Sequence, residues 1–119
     1  MTIIRTITAI SLGALLTSAT PLLAQSADNA VTFAKDIAPI LQRSCQSCHR
    51  AGSMAPMSLV NYQEVRPWAR AIKEKVANRV MPPWHLDRSI GAYVADPSVS
   101  DDEIQTIVAG VARGAARGD

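Results

Sequence analysis

Residues 45–49 read Cys45-Gln46-Ser47-Cys48-His49. Two thiols separated by two residues, with an imidazole directly after them, form a pattern that a porphyrin can use at three points. Each thiol adds across a vinyl group, and the adjoining histidine is held beneath the iron, where a ring nitrogen binds it. The histidine carries much of the specificity. A dithiol redox site needs Cys-x-x-Cys but no such histidine, and it usually sits in a βαβ setting. A zinc site needs four ligands, and Cys45, Cys48, His49 and His85 would complete that number. Three of those four are crowded into one turn, without the second well-spaced pair of a zinc knuckle. The motif therefore points first to covalent haem attachment, with the dithiol and zinc readings as alternatives.

The 119 residues suffice for one small domain. The first stretch reads as an export signal. Met1–Arg5 is a short positive start, Ile7–Leu16 is apolar, and Pro21-Leu22-Leu23-Ala24 resembles a cleavage region. The apolar run is too short and too interrupted by Ser and Thr for a membrane span. The expected organisation is a signal peptide over 1–24, a flexible leader over 25–32 and a folded domain over 33–119. Cleavage after Ala27 and an uncleaved anchor are the alternatives. Export places the domain in the periplasm, with no membrane span after cleavage. Both cysteines are used in one motif, so none is left for a structural disulfide.

Loss of the signal removes one charge, Arg5, and the net charge falls from +2 to +1. Nothing in that balance calls for nucleic acid. One Phe, two Tyr and two Trp leave a thin apolar core. Small scaffolds of this kind need a staple, and a doubly tethered porphyrin would supply it.

Upstream of the motif, Phe33, Ile37, Ile40 and Leu41 fall at helical spacing. The expected helix runs from Asp36, as N-cap, to Ser44, with Pro39 in its first turn. Downstream, Arg50–Leu59 is an expected loop, broken by Gly52, Ser53, Pro56 and Ser58; its Met54 and Met57 are expected around the haem edge. Asn61-Tyr62-Gln63-Glu64 resembles a capping box, giving a short turn over Tyr62–Val65. A helix from Arg66 or Pro67 to about Arg79 follows, with Trp68, Ala71, Ile72, Lys75 and Val76 on one side. Residues 87–99 read as irregular, with Tyr93 and Val94 packing on the core. Ser100-Asp101-Asp102-Glu103 is a stronger capping box for a last helix bearing Ile104, Ile107, Val108 and Val111. Gly110 weakens that helix, and the tail from Gly114 to Asp119 reads as frayed.

Between these helices lies Val80-Met81-Pro82-Pro83-Trp84-His85. Proline pushes the residue before it towards an extended backbone, and a second proline stiffens the segment. Met81 is thus presented from a rigid strap, well placed to give its thioether to an iron. Trp84 is the candidate to cover the haem edge or to donate its indole N–H to a propionate. His85 is the competing ligand.

Taken together, the mature chain resembles a small class I type cytochrome c domain, an all-α fold of three to four short helices and loops around one haem. More narrowly, FAKDIAPILQRSCQSCH (33–49), APMSLVNYQEVRPWARAIKEKV (55–76) and MPPWH (81–85) resemble a bacterial group with a Met-Pro-Pro-Trp strap, often found beside larger oxidoreductase domains. The resemblance implies thioether bonds at Cys45 and Cys48, His49 as proximal ligand and Met81 as distal ligand. One position departs from it: Gly110 stands near where an aromatic residue is expected on the last helix.

The expected function is one-electron transfer through haem c, with no enzymatic turnover. A haem enzyme or gas sensor with an open or bis-histidine distal site is the alternative, as is a haem module serving a larger oxidoreductase. From Arg43 to Arg88 there are eight basic residues against three acidic ones, Glu64, Glu74 and Asp87, so the expected redox partner protein is acidic.

Overall fold

The computed structural model describes residues 30–84, 86, 87 and 89–119. The expected signal peptide (1–24) and residues 25–29 of the leader lie outside the described residues, as do His85 and Arg88. The described residues form helices and loops with no strand, an all-α arrangement.

The first helix opens with a π-helical turn, Phe33–Ile37, and continues as α1, Ala38–Ser44. Its N-cap is Thr32, not Asp36. The Thr32 hydroxyl accepts from the Lys35 N–H, and the Asp36 carboxylate reaches back to accept from the Thr32 N–H at 2.8 Å. Pro39 accounts for the wide turn. It has no N–H to return to residue 35 and its ring crowds that carbonyl. Wider bonds, Ile37 N–H to Thr32 O and Ala38 N–H to Phe33 O, take up the mismatch.

The capping box at Asn61 forms, with the Asn61 side chain on the Glu64 N–H and Glu64 on the Asn61 N–H. It starts α2, Tyr62–Val65, which passes through a 3₁₀ turn, Arg66–Trp68, into α3, Ala69–Ala77. The inward face is Val65, Ala69, Ile72 and Val76, at i, i+4, i+7 and i+11. Ile72 and Val76 lie inward as expected, whereas Trp68, Ala71 and Lys75, expected on the same side, are exposed and Val65 and Ala69 are buried instead. α4, Asp101–Ala112, starts from the Ser100–Glu103 capping box as expected.

Ile40 of α1, Val76 of α3 and Ile104 and Ile107 of α4 form one core with Val99. Leu41, Leu59 and Val65 form a second, against which Phe33, Met57 and Cys45 pack. Tyr93 and Val94 do not join them: both are exposed, and buried Val99 takes the place expected for them. Gly110 is buried at the crossing of α4 with the first helix. A Cβ there would stand 3.1 Å from Val31 Cγ1 and 3.5 Å from Ile37 Cδ1. The missing side chain is what lets the two helices approach, so the expected weak point of α4 is its contact point.

The tail is not frayed. Gly114, with φ of 92°, ends α4 in a left-handed turn, and Ala115 N–H returns to Gly110 O. The chain then runs back to the first helix, where Ala116 O and Arg117 O accept from the Phe33 and Ala34 N–H groups at 2.9 Å each. Those are two of the donors that a helix start leaves without an intrahelical partner. Tyr62 Oη donates to Ala115 O at 2.9 Å and holds the tail from the other side.

Candidate functional site

α1 ends by delivering residues 45–49 as one further turn. Cys45 N–H stays bonded to Leu41 O, and His49 N–H bonds to Cys45 O at 2.9 Å. Residues three and four apart share a side at helical pitch, so Cys45, Cys48 and His49 stand together. Both cysteines are free thiols. Burial pushes the Cys45 thiol up to about 11, only partly offset by the nearby Arg43 charge, which keeps it a neutral thiol.

The following loop folds back on this turn. Leu59 N–H donates to His49 O at 3.0 Å, Ala55 N–H to Cys48 O at 3.3 Å, and Gln46 Nε2 to Leu59 O at 3.0 Å. This brings Met57 O to 3.2 Å from His49 Nδ1. With the proton on Nδ1 donated to that carbonyl, Nε2 is the nitrogen left as a lone-pair donor. Sequence reasoning missed this partner because it is a backbone carbonyl. The two loop methionines part company: Met54 borders the cleft described next and is exposed, whereas Met57 packs on Leu41, Leu59 and Val65.

The strap reaches the site through the end of α3. Arg79 adopts φ of 52°, Val80 N–H returns to Lys75 O at 2.8 Å, and Arg79 N–H to Val76 O at 3.0 Å. These two bonds close the helix and turn the chain back, with an arginine where a glycine is usual. The helix therefore stops at Ala77, two residues before the expected end. Met81 N–H also reaches Lys75 O, at 3.2 Å, so the strap begins anchored to the helix it leaves.

Cys45, Cys48, His49, Met81 and Trp84 come together around one cleft of about 290 Å³, whose remaining wall is Ser44, Met54, Ala55, Pro56, Pro82 and Pro83. Apart from the sulfurs, the imidazole, Ser44 and the indole N–H of Trp84, the lining is apolar. Met81 and Trp84 are each partly exposed at its rim. A second cavity of about 420 Å³ abuts the strap, sharing Met81, Pro82 and Trp84, and is walled by Val76, Val99 and Ile104 with Arg79, Asp87 and Asp101.

The donor set of the first cleft fits a c-type haem: two thiols for vinyl groups, an imidazole with one nitrogen free, and a thioether. Ser44 borders the cleft too, and its buried Oγ has no hydrogen-bond partner among the described residues. Although Cys45, Cys48 and His49 line one cleft, no group of three His, Cys, Asp or Glu side chains among the described residues is placed to hold a metal ion by itself. His85, the competing ligand and the fourth member of the zinc alternative, lies outside the described residues. No described helix is long and apolar enough to cross a membrane. Comparison with family models, with curated proteins and with solved structures finds no match.

Proposed function

We propose that this chain is a class I type cytochrome c, a periplasmic one-electron carrier that binds haem c covalently through Cys45 and Cys48. His49 and Met81 would hold its iron. The observation that carries this reading is the meeting of Met81 and Trp84 with the Cys45–His49 turn around one largely apolar cleft. More than 30 residues of chain separate the two halves, and nothing but the tertiary fold joins them.

A bound haem would supply the redox chemistry, a one-electron ferrous–ferric couple. The protein's part is to hold and tune. Met57 O keeps the His49 proton on Nδ1, which orients the ring and leaves Nε2 for the metal. The soft Met81 thioether favours the ferrous state and raises the potential relative to a second histidine. Ala55, Pro56, Pro82 and Pro83 give the cleft an apolar wall, and Trp84 at its rim would cover a haem edge or donate its indole N–H to a propionate. With His49 and Met81 both engaged, a bound iron would offer no open position to a substrate, as a carrier rather than an enzyme requires.

The test is denaturing electrophoresis with a haem stain, on protein made with the covalent-attachment machinery. Wild type should stain, Cys45→Ser and Cys48→Ser should retain one bond at most, and the double variant none. A stained double variant, or an unstained wild type, defeats the reading.

A further inference from the structure

Ser44 is the last residue of α1, directly before Cys45, and its side chain is almost completely buried at 2% exposure. Its Oγ is sealed from solvent and has no hydrogen-bond partner among the described residues. A serine late in a helix commonly returns its hydroxyl to the carbonyl four residues back, and here that bond is not made. Native proteins rarely leave a buried hydroxyl unpaired, because it has given up water and received nothing in exchange. Ser44 also belongs to the wall of the cleft lined by Cys45, Cys48, His49 and Met81. No acceptor among the described residues answers this donor, and the cleft that Ser44 borders is where one would arrive from.

We infer that Ser44 is a positioning residue whose hydroxyl donates to an oxygen acceptor brought in by the occupant of the cleft. Resting on the haem reading above, the acceptor is either a carboxylate on the rim of the tetrapyrrole or a water trapped beside it. Both present the same chemistry, a lone pair in a space that has no other partner for this donor. A hydrogen bond at that point changes the charge distribution around the ring, so it acts on the redox equilibrium as well as on stability.

The test uses the purified, haem-loaded full chain with Ser44→Ala and Ser44→Thr. Ser44→Ala should keep its haem stain, melt roughly 5 °C lower and show a displaced reduction potential. Ser44→Thr, which keeps the hydroxyl, should restore both. Redox-difference infrared spectra then separate the two acceptors. A rim carboxylate shifts its stretching band between wild type and Ser44→Ala, while a trapped water leaves that band in place. An unaltered potential, a shift that Ser44→Thr does not reverse, or a Ser44→Ala protein that melts above wild type each overturns the assignment. The last outcome is what removal of a permanently unpaired hydroxyl would give. A wild type without haem stain fails a step earlier, and brings down the haem reading and this one together.

Discussion

Arg43 grips Glu103 with both ends of its guanidinium: Nη1 donates to Oε1 at 2.7 Å and Nη2 to Oε2 at 2.8 Å. The pair ties the helix that delivers Cys45 to the start of α4. Glu103 is also the return half of the Ser100 capping box, accepting from the Ser100 N–H at 2.9 Å. The Arg43 hydrogen bonds, more than any other influence, hold the Glu103 carboxyl at about 2, below its ordinary 4.5. The folded state therefore takes up this proton less readily than the unfolded chain. The contribution is complete above about 4.5 and is lost as pH falls through about 2. Glutamine keeps the capping role but not the charge. Glu103→Gln should cost about 1 kcal/mol near neutral pH, and its difference from wild type should close towards pH 2 in thermal melts. A gap that stays constant with pH would show that the ionised pair contributes nothing.

Met81, and not His85, is expected to be the sixth ligand of a bound haem. The helix-closing turn and the bond from Met81 N–H to Lys75 O fix where the strap begins, and Met81 lines the cleft. Met81→Ala should lower the reduction potential and open the iron to added carbon monoxide or cyanide, while His85→Ala should change little. Ferric wild type should show the weak red band of sulfur-to-iron charge transfer. If that band is missing and only His85→Ala alters the spectrum, the ligand is His85.

The close approach at Gly110 makes a graded prediction. Alanine there gains helix propensity, about 1 kcal/mol, and meets Val31 Cγ1 at 3.1 Å. The two effects oppose each other, so Gly110→Ala should alter stability by less than about 1 kcal/mol. Gly110→Phe restores the aromatic that the cytochrome resemblance expects and overfills this crossing, at a cost of about 2–3 kcal/mol. Denaturant unfolding of both variants checks the order; a stabilised Gly110→Phe would mean that the helices part easily.

Docking should depend on charge, through a smaller set of residues than the sequence count suggests. Arg43 is engaged by Glu103 and Arg79 by Asp101. Arg66, Arg70, Lys73 and Lys75 have no ion pair among the described residues, and the first three follow one another at i, i+4 and i+7. Electron-transfer rates to an acidic redox partner should fall with rising salt. Arg70→Glu should slow transfer several-fold at low salt and leave the spectrum unchanged. Rates indifferent to both changes would make this stripe simply a solvated surface.

Local chemistry was legible in the sequence wherever one short stretch contains the whole interaction. The CQSCH turn, the capping boxes at Asn61 and Ser100, and the all-α character are of that kind, since each depends on residues within a turn of one another. The inward face of α2–α3 was read correctly at Ile72 and Val76 but not at Trp68, which is apolar by type, because only the neighbouring helices decide which side is covered. Asp36 lost the N-cap to Thr32 because Pro39, seven residues on, widens the first turn.

The site itself needed the tertiary structure. Cys45 and Met81 lie 36 positions apart in the chain, and their common cleft exists because Arg79 turns the backbone at the end of α3. No glycine announces that turn. The partner of His49 Nδ1 is a main-chain carbonyl, which every residue possesses and no motif can signal. The tail lies against the first helix because Phe33 and Ala34 have N–H groups that their own helix cannot satisfy. Residue identity determines which chemistry is available; backbone geometry, summed over distant segments, decides which groups meet.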